Sequence, residues 1–125
     1  MNLVIGLDFD GTVVKHKYPR LGEDIGAFPW LRQFVESGVL IVLNTMRDGK
    51  SLEKARDFIE DNGVPLYGVN NNPDQKRWTL SPKVYAHLYI DDAALGIPLI
   101  KPENERPYVD WEKVGPMVLK WIEEK

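Results

Sequence analysis

The sequence has 125 residues, 43% of them hydrophobic and 28% charged, with 16 lysines and arginines against 19 aspartates and glutamates and a formal net charge of −3. These values are typical of one globular domain over residues 1–125, and they exclude a disordered chain. The mild negative charge gives no basic field for nucleic acid. The absence of cysteine excludes thiol nucleophiles, thiolate metal ligands and disulfides.

The apolar runs are too short to cross a membrane. The longest cover residues 3–7 and 39–43, far below the ~20 residues of a spanning helix. The first residues also lack the basic region of a signal peptide. We therefore expect a cytoplasmic protein with no membrane partner and, by default, no nucleic-acid partner. Nothing in the sequence specifies an oligomeric state.

Five short apolar runs predict strands, at residues 3–9, 39–44, 65–69, 88–90 and 98–100. The first, second and fourth are dense in branched or aromatic residues and show little alternation, which is typical of buried parallel strands. The third and fifth open with proline, which is less favourable in a strand.

Three longer segments carry apolar residues at helical spacing. The first contains Phe28 and ends near Gly38, the second runs from an N-cap at Ser51 to Gly63, and the third follows Asp110. Strands alternating with helices predict an α/β fold of three layers, Rossmann-like, with a mainly parallel sheet covered by helices on both faces. Residues 13–27 and 70–84 are expected to be irregular.

Two acidic pairs follow predicted strands. Asp8 and Asp10 point to the same side where the first strand ends, and Gly11 allows a sharp turn after them. Asp91 and Asp92 follow the fourth run. Ligands of open α/β sheets bind beyond the carboxyl ends of strands, and a cluster of carboxylates there suits Mg²⁺. The alternative is that these acids are solvated turn residues.

A second group of residues suits phosphate. Thr45 offers a hydroxyl after the second strand, the backbone amides of Met46 and Arg47 follow it, and the Arg47 guanidinium is a bidentate donor. Lys83 is the candidate cation, with Lys76 and Arg77 as its competitors. The alternative is a structural threonine and solvated lysines.

Together these residues resemble the four motifs of the haloacid dehalogenase superfamily, in order and over nearly the whole chain. The motifs are Asp8, Phe9, Asp10, Gly11 and Thr12, then Thr45, then Lys83, then Asp91 and Asp92. Most members of that superfamily are Mg²⁺-dependent phosphatases with a sheet of order 3-2-1-4-5. The resemblance therefore implies that fold and a phosphorylated substrate, whose identity the sequence does not specify.

The resemblance also implies roles for individual residues. Asp8 would be the nucleophile and a Mg²⁺ ligand, and Asp10 the general acid and base, bound to the metal through its carbonyl. Thr45 and Lys83 would hold the phosphoryl group. The metal would also be bound directly by Asp91, and indirectly by Asp92.

The superfamily often inserts a cap domain after its first motif or third strand, but residues 12–27 and 69–83 leave no room for one. The chain therefore resembles small capless hydrolases of bacteria and phages. We expect selectivity to come from a flap at residues 13–27, from the loop at residues 70–82 with Trp78, or from a neighbouring subunit.

Two other functions compete with this prediction. A receiver-type signalling domain needs an acceptor aspartate at the end of its third strand, where this chain has Asn70. The other alternative is a catalytically idle binding module on the same scaffold, which turnover of an aryl phosphate would exclude.

Overall fold

A computed structural model describes residues 2–125. Its strands and helices alternate as expected along the first half of the chain. The elements are β1 (Val4–Leu7), α1 (Phe28–Glu36), β2 (Leu40–Leu43), α2 (Gly49–Asp61), β3 (Gly68–Val69), a 3₁₀ turn (Gln75–Arg77), β4 (Leu88–Ile90), β5 (Leu99–Ile100), β6 (Tyr108–Val109) and α3 (Trp111–Glu123). None of these helices combines the length and apolar character that crossing a membrane requires.

The main sheet has four parallel strands in the order β3-β2-β1-β4. At the carboxyl end of β1, Leu7 pairs with Leu43 of β2 and with Ile90 of β4. An α/β architecture with a Rossmann-like parallel sheet is therefore confirmed. The carboxyl ends of three predicted strands meet at one edge, as a ligand site requires.

The expected fifth strand of this sheet is a correction. Leu99–Ile100 is a strand, but it pairs antiparallel with Tyr108–Val109 in a separate two-stranded sheet, so the order 3-2-1-4-5 is not formed. The Val109 amide also donates to the carbonyl of Gly11, at 2.9 Å. Short strands pair with whichever edge the chain brings nearest, and here the turn at residues 101–107 folds back on Leu99.

Helices on both faces of the sheet were also expected, and the structure differs. All three α-helices contribute to one hydrophobic cluster with Ile5, Leu43 and Ile90, whereas the second cluster, around Val4, Val42 and Val84, contains no residue of an α-helix within the described chain. The crossovers from β1 to β2 and from β2 to β3 advance in the same direction. Right-handed connections therefore place α1 and α2 on the same side.

The start of the second helix is a smaller correction. It begins at Gly49 after an extended Asp48, two residues before the expected N-cap. The Ser51 hydroxyl donates instead to the carbonyl of Asp48, at 2.8 Å. The carbonyl of the cap residue, Asp48, thus accepts a hydrogen bond from a serine in the first turn of the helix.

Helices α1 and α3 approach closely at Gly115. A Cβ at this position would overlap the Trp30 indole, lying 2.5 Å from its Cε2 and Cε3 atoms. The absence of a side chain therefore sets the distance between the two helices.

We predict that Gly115→Ala destabilises the fold. The added methyl forces Trp30 to move, at a cost of about 1–3 kcal/mol that exceeds the helix-propensity gain of about 1 kcal/mol. Thermal unfolding should show a lower Tm, whereas Lys113→Ala on the exposed face of α3 should not. An unchanged Tm for Gly115→Ala, or failure of Trp30→Leu to restore it, would contradict this packing.

Candidate functional site

The site begins at the last hydrogen bond between β1 and β4. The Asp8 amide donates to the Ile90 carbonyl at 3.0 Å, which sets Asp8 beside the residues that follow Ile90. As a result, Asp8, Asp91 and Asp92 each place a carboxylate oxygen within 4.8 Å of the other two. We call these three residues the acidic triad. The sequence predicted this meeting of the two acidic pairs, with one exception described below.

Burial has the largest effect on the charge of Asp8. It raises the pKa of Asp8, and together with the neighbouring charges of Asp91 and Asp92 it moves that pKa from 3.8 to about 8. A hydrogen bond from Thr12 opposes this shift. Three carboxylates this close favour a bound proton or a bound cation.

Thr12 joins the two strand ends. Its hydroxyl donates to Asp8 Oδ2 at 2.8 Å and accepts the Asp92 amide at 3.0 Å. The Trp111 indole donates to the Thr12 carbonyl at 2.7 Å, so the first turn of α3 fixes the same loop. Thr12 is fully buried. Its hydroxyl therefore has a fixed position relative to Asp8 and Asp92.

His16 and Gly11 complete the wall around Asp92. His16 Nε2 lies 2.9 Å from Asp92 Oδ2. Gly11 has a φ of +83°, and a Cβ there would overlap His16 Nε2 and lie 2.8 Å from Asp92 Cγ. Glycine is thus required for both its backbone conformation and the space it leaves.

The donor set of the acidic triad is oxygen only. Hard divalent cations such as Mg²⁺ and Ca²⁺ take carboxylate oxygens, whereas zinc sites are built mainly on histidine and cysteine. The chain has no cysteine, and the neighbouring His16 is engaged with Asp92. The residues present therefore fit a hard cation.

Asp10 is the exception, because its side chain is not part of the acidic triad. Its two oxygens accept hydrogen bonds from Arg47 Nε and Nη2, both at 2.8 Å. The remaining Arg47 donors go to the carbonyls of Pro19, Arg20 and Ser51.

The Arg47 side chain was expected to bind phosphate, but its guanidinium is engaged within the protein. It is 2% exposed, and its five N–H groups, the full set of a guanidinium, all donate within the protein. It therefore links Asp10 to the flap at residues 13–27 and to the start of α2.

The loop after β2 leaves the Met46 amide free. The Thr45 amide donates to Asn70 Oδ1 at 2.8 Å, and the Arg47 amide donates to Thr45 Oγ1 at 3.2 Å. The amide of Met46 donates to no acceptor in residues 2–125, and its side chain is exposed. Met46 N–H and the Thr45 hydroxyl are thus the groups of this loop that could meet an anion.

Lys83 shares a cleft with Asp8 and Asp91 of the acidic triad. The cleft has a volume of about 410 Å³ and is lined by Asp8, Asn44, Lys83, Tyr89 and Asp91 among others. Lys83 Nζ lies over the Tyr89 ring, 5.9 Å from its centre. Lys76 lines a different cavity, of about 220 Å³. Of the two lysines that competed in the sequence, Lys83 is the one that lines the same cleft as Asp8.

Trp78 lies away from the cleft. Its ring packs edge-on against Tyr85 at 5.5 Å, and it lines a cavity with Val4 and Leu40, where β1 and β2 begin. The expected contribution of Trp78 to selectivity is therefore not supported by its position.

Sequence reasoning missed two residues that shape the site. The role of Asn70 depends on a hydrogen bond to the distant Thr45 loop, and that of Gln75 on hydrogen bonds to the segment that carries Lys83. Asn70 adopts a φ of +52° directly after a strand. Asparagine tolerates a positive φ better than most residues, so its place in the sequence was a signal for this turn.

Comparison with known proteins gives one informative match. The chain resembles a solved structure of a conserved protein from Bacteroides thetaiotaomicron, with a TM-score of 0.80 and 29% sequence identity over 97% of this chain and 93% of that one. No protein-family model and no curated protein matches the chain. That structure supports the fold and carries no functional name.

We predict that divalent cations bind more tightly as pH rises. Because the Asp8 pKa is about 8, a cation must displace its proton at lower pH, so affinity should rise up to about tenfold per pH unit and level off above pH 8. Calorimetric titration with Mg²⁺ between about pH 6 and pH 9 measures this. Without metal, the free energy of unfolding should instead fall as pH rises from about 4 towards 8, because the folded state binds the Asp8 proton more tightly than the unfolded state does.

The matched variant is Asp8→Asn, which keeps the shape and removes the titrating group. It should bind Mg²⁺ weakly with little pH dependence over this range. Mg²⁺ affinity that is independent of pH in the wild-type protein would contradict the prediction.

Proposed function

We propose that this protein is a Mg²⁺-dependent phosphatase of the haloacid dehalogenase type, which hydrolyses phosphomonoesters through an aspartyl-phosphate on Asp8. The proposal depends on one observation: Asp8, Asp91 and Lys83 line the same cleft at the carboxyl end of the sheet. Carboxylates and a cation on one cleft suit a phosphate bound together with a metal ion.

The reaction proceeds in two displacements at phosphorus. An oxygen of Asp8 attacks, the bond to the leaving oxygen breaks, and that oxygen takes up a proton. Water then attacks the phosphorus of the aspartyl-phosphate, which releases inorganic phosphate and restores the Asp8 carboxylate. A covalent intermediate divides one difficult step into two easier ones.

Charge must be neutralised for a carboxylate to attack a phosphate. Mg²⁺, held by Asp8, Asp91, Asp92 and the Asp10 carbonyl, would supply positive charge to the phosphoryl oxygens. Lys83, the Met46 amide and the Thr45 hydroxyl would hold the same oxygens from the protein side. In this arrangement the free Met46 amide replaces the Arg47 guanidinium as the donor from that loop.

Asp10 is proposed as the group that gives a proton to the leaving oxygen and takes one from water. Its carboxylate is turned towards Arg47, so this role requires it to rotate towards the cleft. Arg47 then acts as a positioning residue that determines where Asp10 rests between these steps.

The substrate is proposed to be larger than a simple metabolite. The cleft is open, and the loops after β2, β3 and β4 carry exposed apolar side chains, namely Met46, Leu80 and Leu95. Large exposed apolar residues on loops that follow the strands favour a substrate whose organic part covers them. In the flap, Lys15 pairs with Glu105 and His16 with Asp92. Lys17 and Arg20 are exposed and form no ion pair within residues 2–125, so they remain available to an anionic substrate.

The first test concerns the nucleophile and the metal. Asp8→Asn should lower the hydrolysis of p-nitrophenyl phosphate by about a thousandfold or more, and a chelator should abolish wild-type activity until Mg²⁺ is restored. Asp57→Asn, an exposed change on α2, is the control. Comparable turnover by Asp8→Asn, or turnover without metal, would refute the mechanism. No turnover by the wild-type protein would favour the idle binding module.

The second test concerns the lysine. Lys83→Ala should lower kcat/KM by roughly a hundredfold because it removes a cation that faces the phosphoryl oxygens. Lys76→Ala should leave kcat/KM within about twofold of the wild-type value, since it lines another cavity. The opposite ranking would assign phosphate binding to residues 70–77.

A further inference from the structure

One buried polar side chain, Gln75, makes contacts that neither the acidic triad nor the fold explains. It opens the 3₁₀ turn and is 7% exposed. Its Nε2 donates to the carbonyls of Ser81, at 3.1 Å, and Lys83, at 2.6 Å, while its Oε1 accepts the Tyr85 amide at 2.7 Å. All three bonds go to the segment that carries Lys83.

Side-chain hydrogen bonds fix much of the backbone of that segment. Residues 78–87 form neither helix nor strand, so no ladder of backbone hydrogen bonds holds them. Side chains replace the ladder: Ser81 Oγ accepts the Lys83 amide at 3.2 Å, and Asn72 Nδ2 donates to the Tyr85 carbonyl at 3.0 Å. The backbone of Lys83 is therefore held at its amide by Ser81 and at its carbonyl by Gln75.

The same loop reaches the other phosphate-binding element. Asn70, five residues before Gln75, accepts the Thr45 amide through its side chain. Residues 70–75 thus touch both the Thr45 loop and the Lys83 segment, which approach the cleft from different strands. A lysine on a flexible four-carbon stem can serve one place reliably only if its own backbone is fixed.

We infer that Gln75 is a positioning residue that holds the Lys83 backbone so that the ammonium group reaches the phosphoryl site of the cleft. This inference rests on the proposed function, because it assumes that Lys83 binds phosphate. Gln75 itself lies outside the lining of that cleft and acts only through the segment that it bonds.

The test is a double-mutant cycle between Gln75 and Lys83. Gln75→Met keeps the side-chain length and removes all three hydrogen bonds, and it should lower kcat/KM for p-nitrophenyl phosphate roughly 10- to 100-fold. In the Lys83→Ala background the same change should cost less than about twofold, because the group that it positions is gone. Gln33→Met on the exposed face of α1 is the matched control.

A second variant guards against misfolding. Ser81→Ala removes one bond to the Lys83 backbone from an exposed side chain, and it should lower kcat/KM by a smaller factor that also disappears in the Lys83→Ala background. Equal losses in both backgrounds, for either variant, would overturn the inference, as would wild-type kcat/KM in folded Gln75→Met. If Gln75→Met does not fold, the Ser81→Ala cycle decides.

Binding of inorganic phosphate with Mg²⁺, measured by calorimetry, separates this inference from the proposed function. Phosphate binding that Lys83→Ala and Gln75→Met both weaken supports the role of Gln75 even without turnover. Binding that Lys83→Ala weakens and Gln75→Met does not overturns that role alone. Absence of both turnover and phosphate binding in the wild-type protein overturns the proposed function and the role of Gln75 with it.

Discussion

The hydrogen bond from the Asp8 amide to the Ile90 carbonyl determines where everything else in the site lies. It is the last bond between β1 and β4, and it sets the acids that follow the two strands side by side. Burial, with repulsion from the neighbouring acids, raises the pKa of Asp8 to about 8. The surrounding groups partly offset this unfavourable charge: Thr12 donates to Asp8, and His16 contacts Asp92. Gly11 leaves room for His16 and Asp92.

A second constraint arises from the buried Arg47. A guanidinium out of contact with water must satisfy all five donors, since each unpaired group would cost about 1–3 kcal/mol. Arg47 meets this need with Asp10 and three backbone carbonyls. Two of those carbonyls belong to Pro19 and Arg20, so the flap is held in place by the same side chain that holds Asp10. The flap's order and the orientation of Asp10 are therefore not independent.

The sequence predicted the parts of the molecule that depend on local pattern. Apolar runs located β1, β2 and β4, and the position of Asp8 and Asp91 directly after two of them predicted the acidic triad. It also ranked Lys83 ahead of Lys76 as the phosphate-binding lysine, which stays a prediction; Lys83 lines the same cleft as Asp8.

The errors concern the choice of partner, which local pattern does not contain. Leu99–Ile100 is a strand, as expected, but its neighbour is Tyr108–Val109 and not β4. The Arg47 guanidinium could donate hydrogen bonds to a phosphate, but in the fold it donates to the Asp10 carboxylate. Even the placement of α1 and α2 on one face depends on the strand order, which no single segment encodes.

The second face of the sheet connects these corrections to the chemistry. Within residues 2–125, no α-helix residue contributes to the cluster of Val4, Val42 and Val84, and residues 78–87 cover that face as irregular chain. An irregular segment can run from the middle of the sheet to its carboxyl edge, and this one buries Val84 while its neighbour Lys83 lines the cleft. The buried Val84 and the cleft-lining Lys83 are consecutive residues of one short segment, which Gln75 holds by hydrogen bonds. Loss of order in this segment would therefore weaken the core and displace the lysine together, which explains why three buried hydrogen bonds are committed to so few residues.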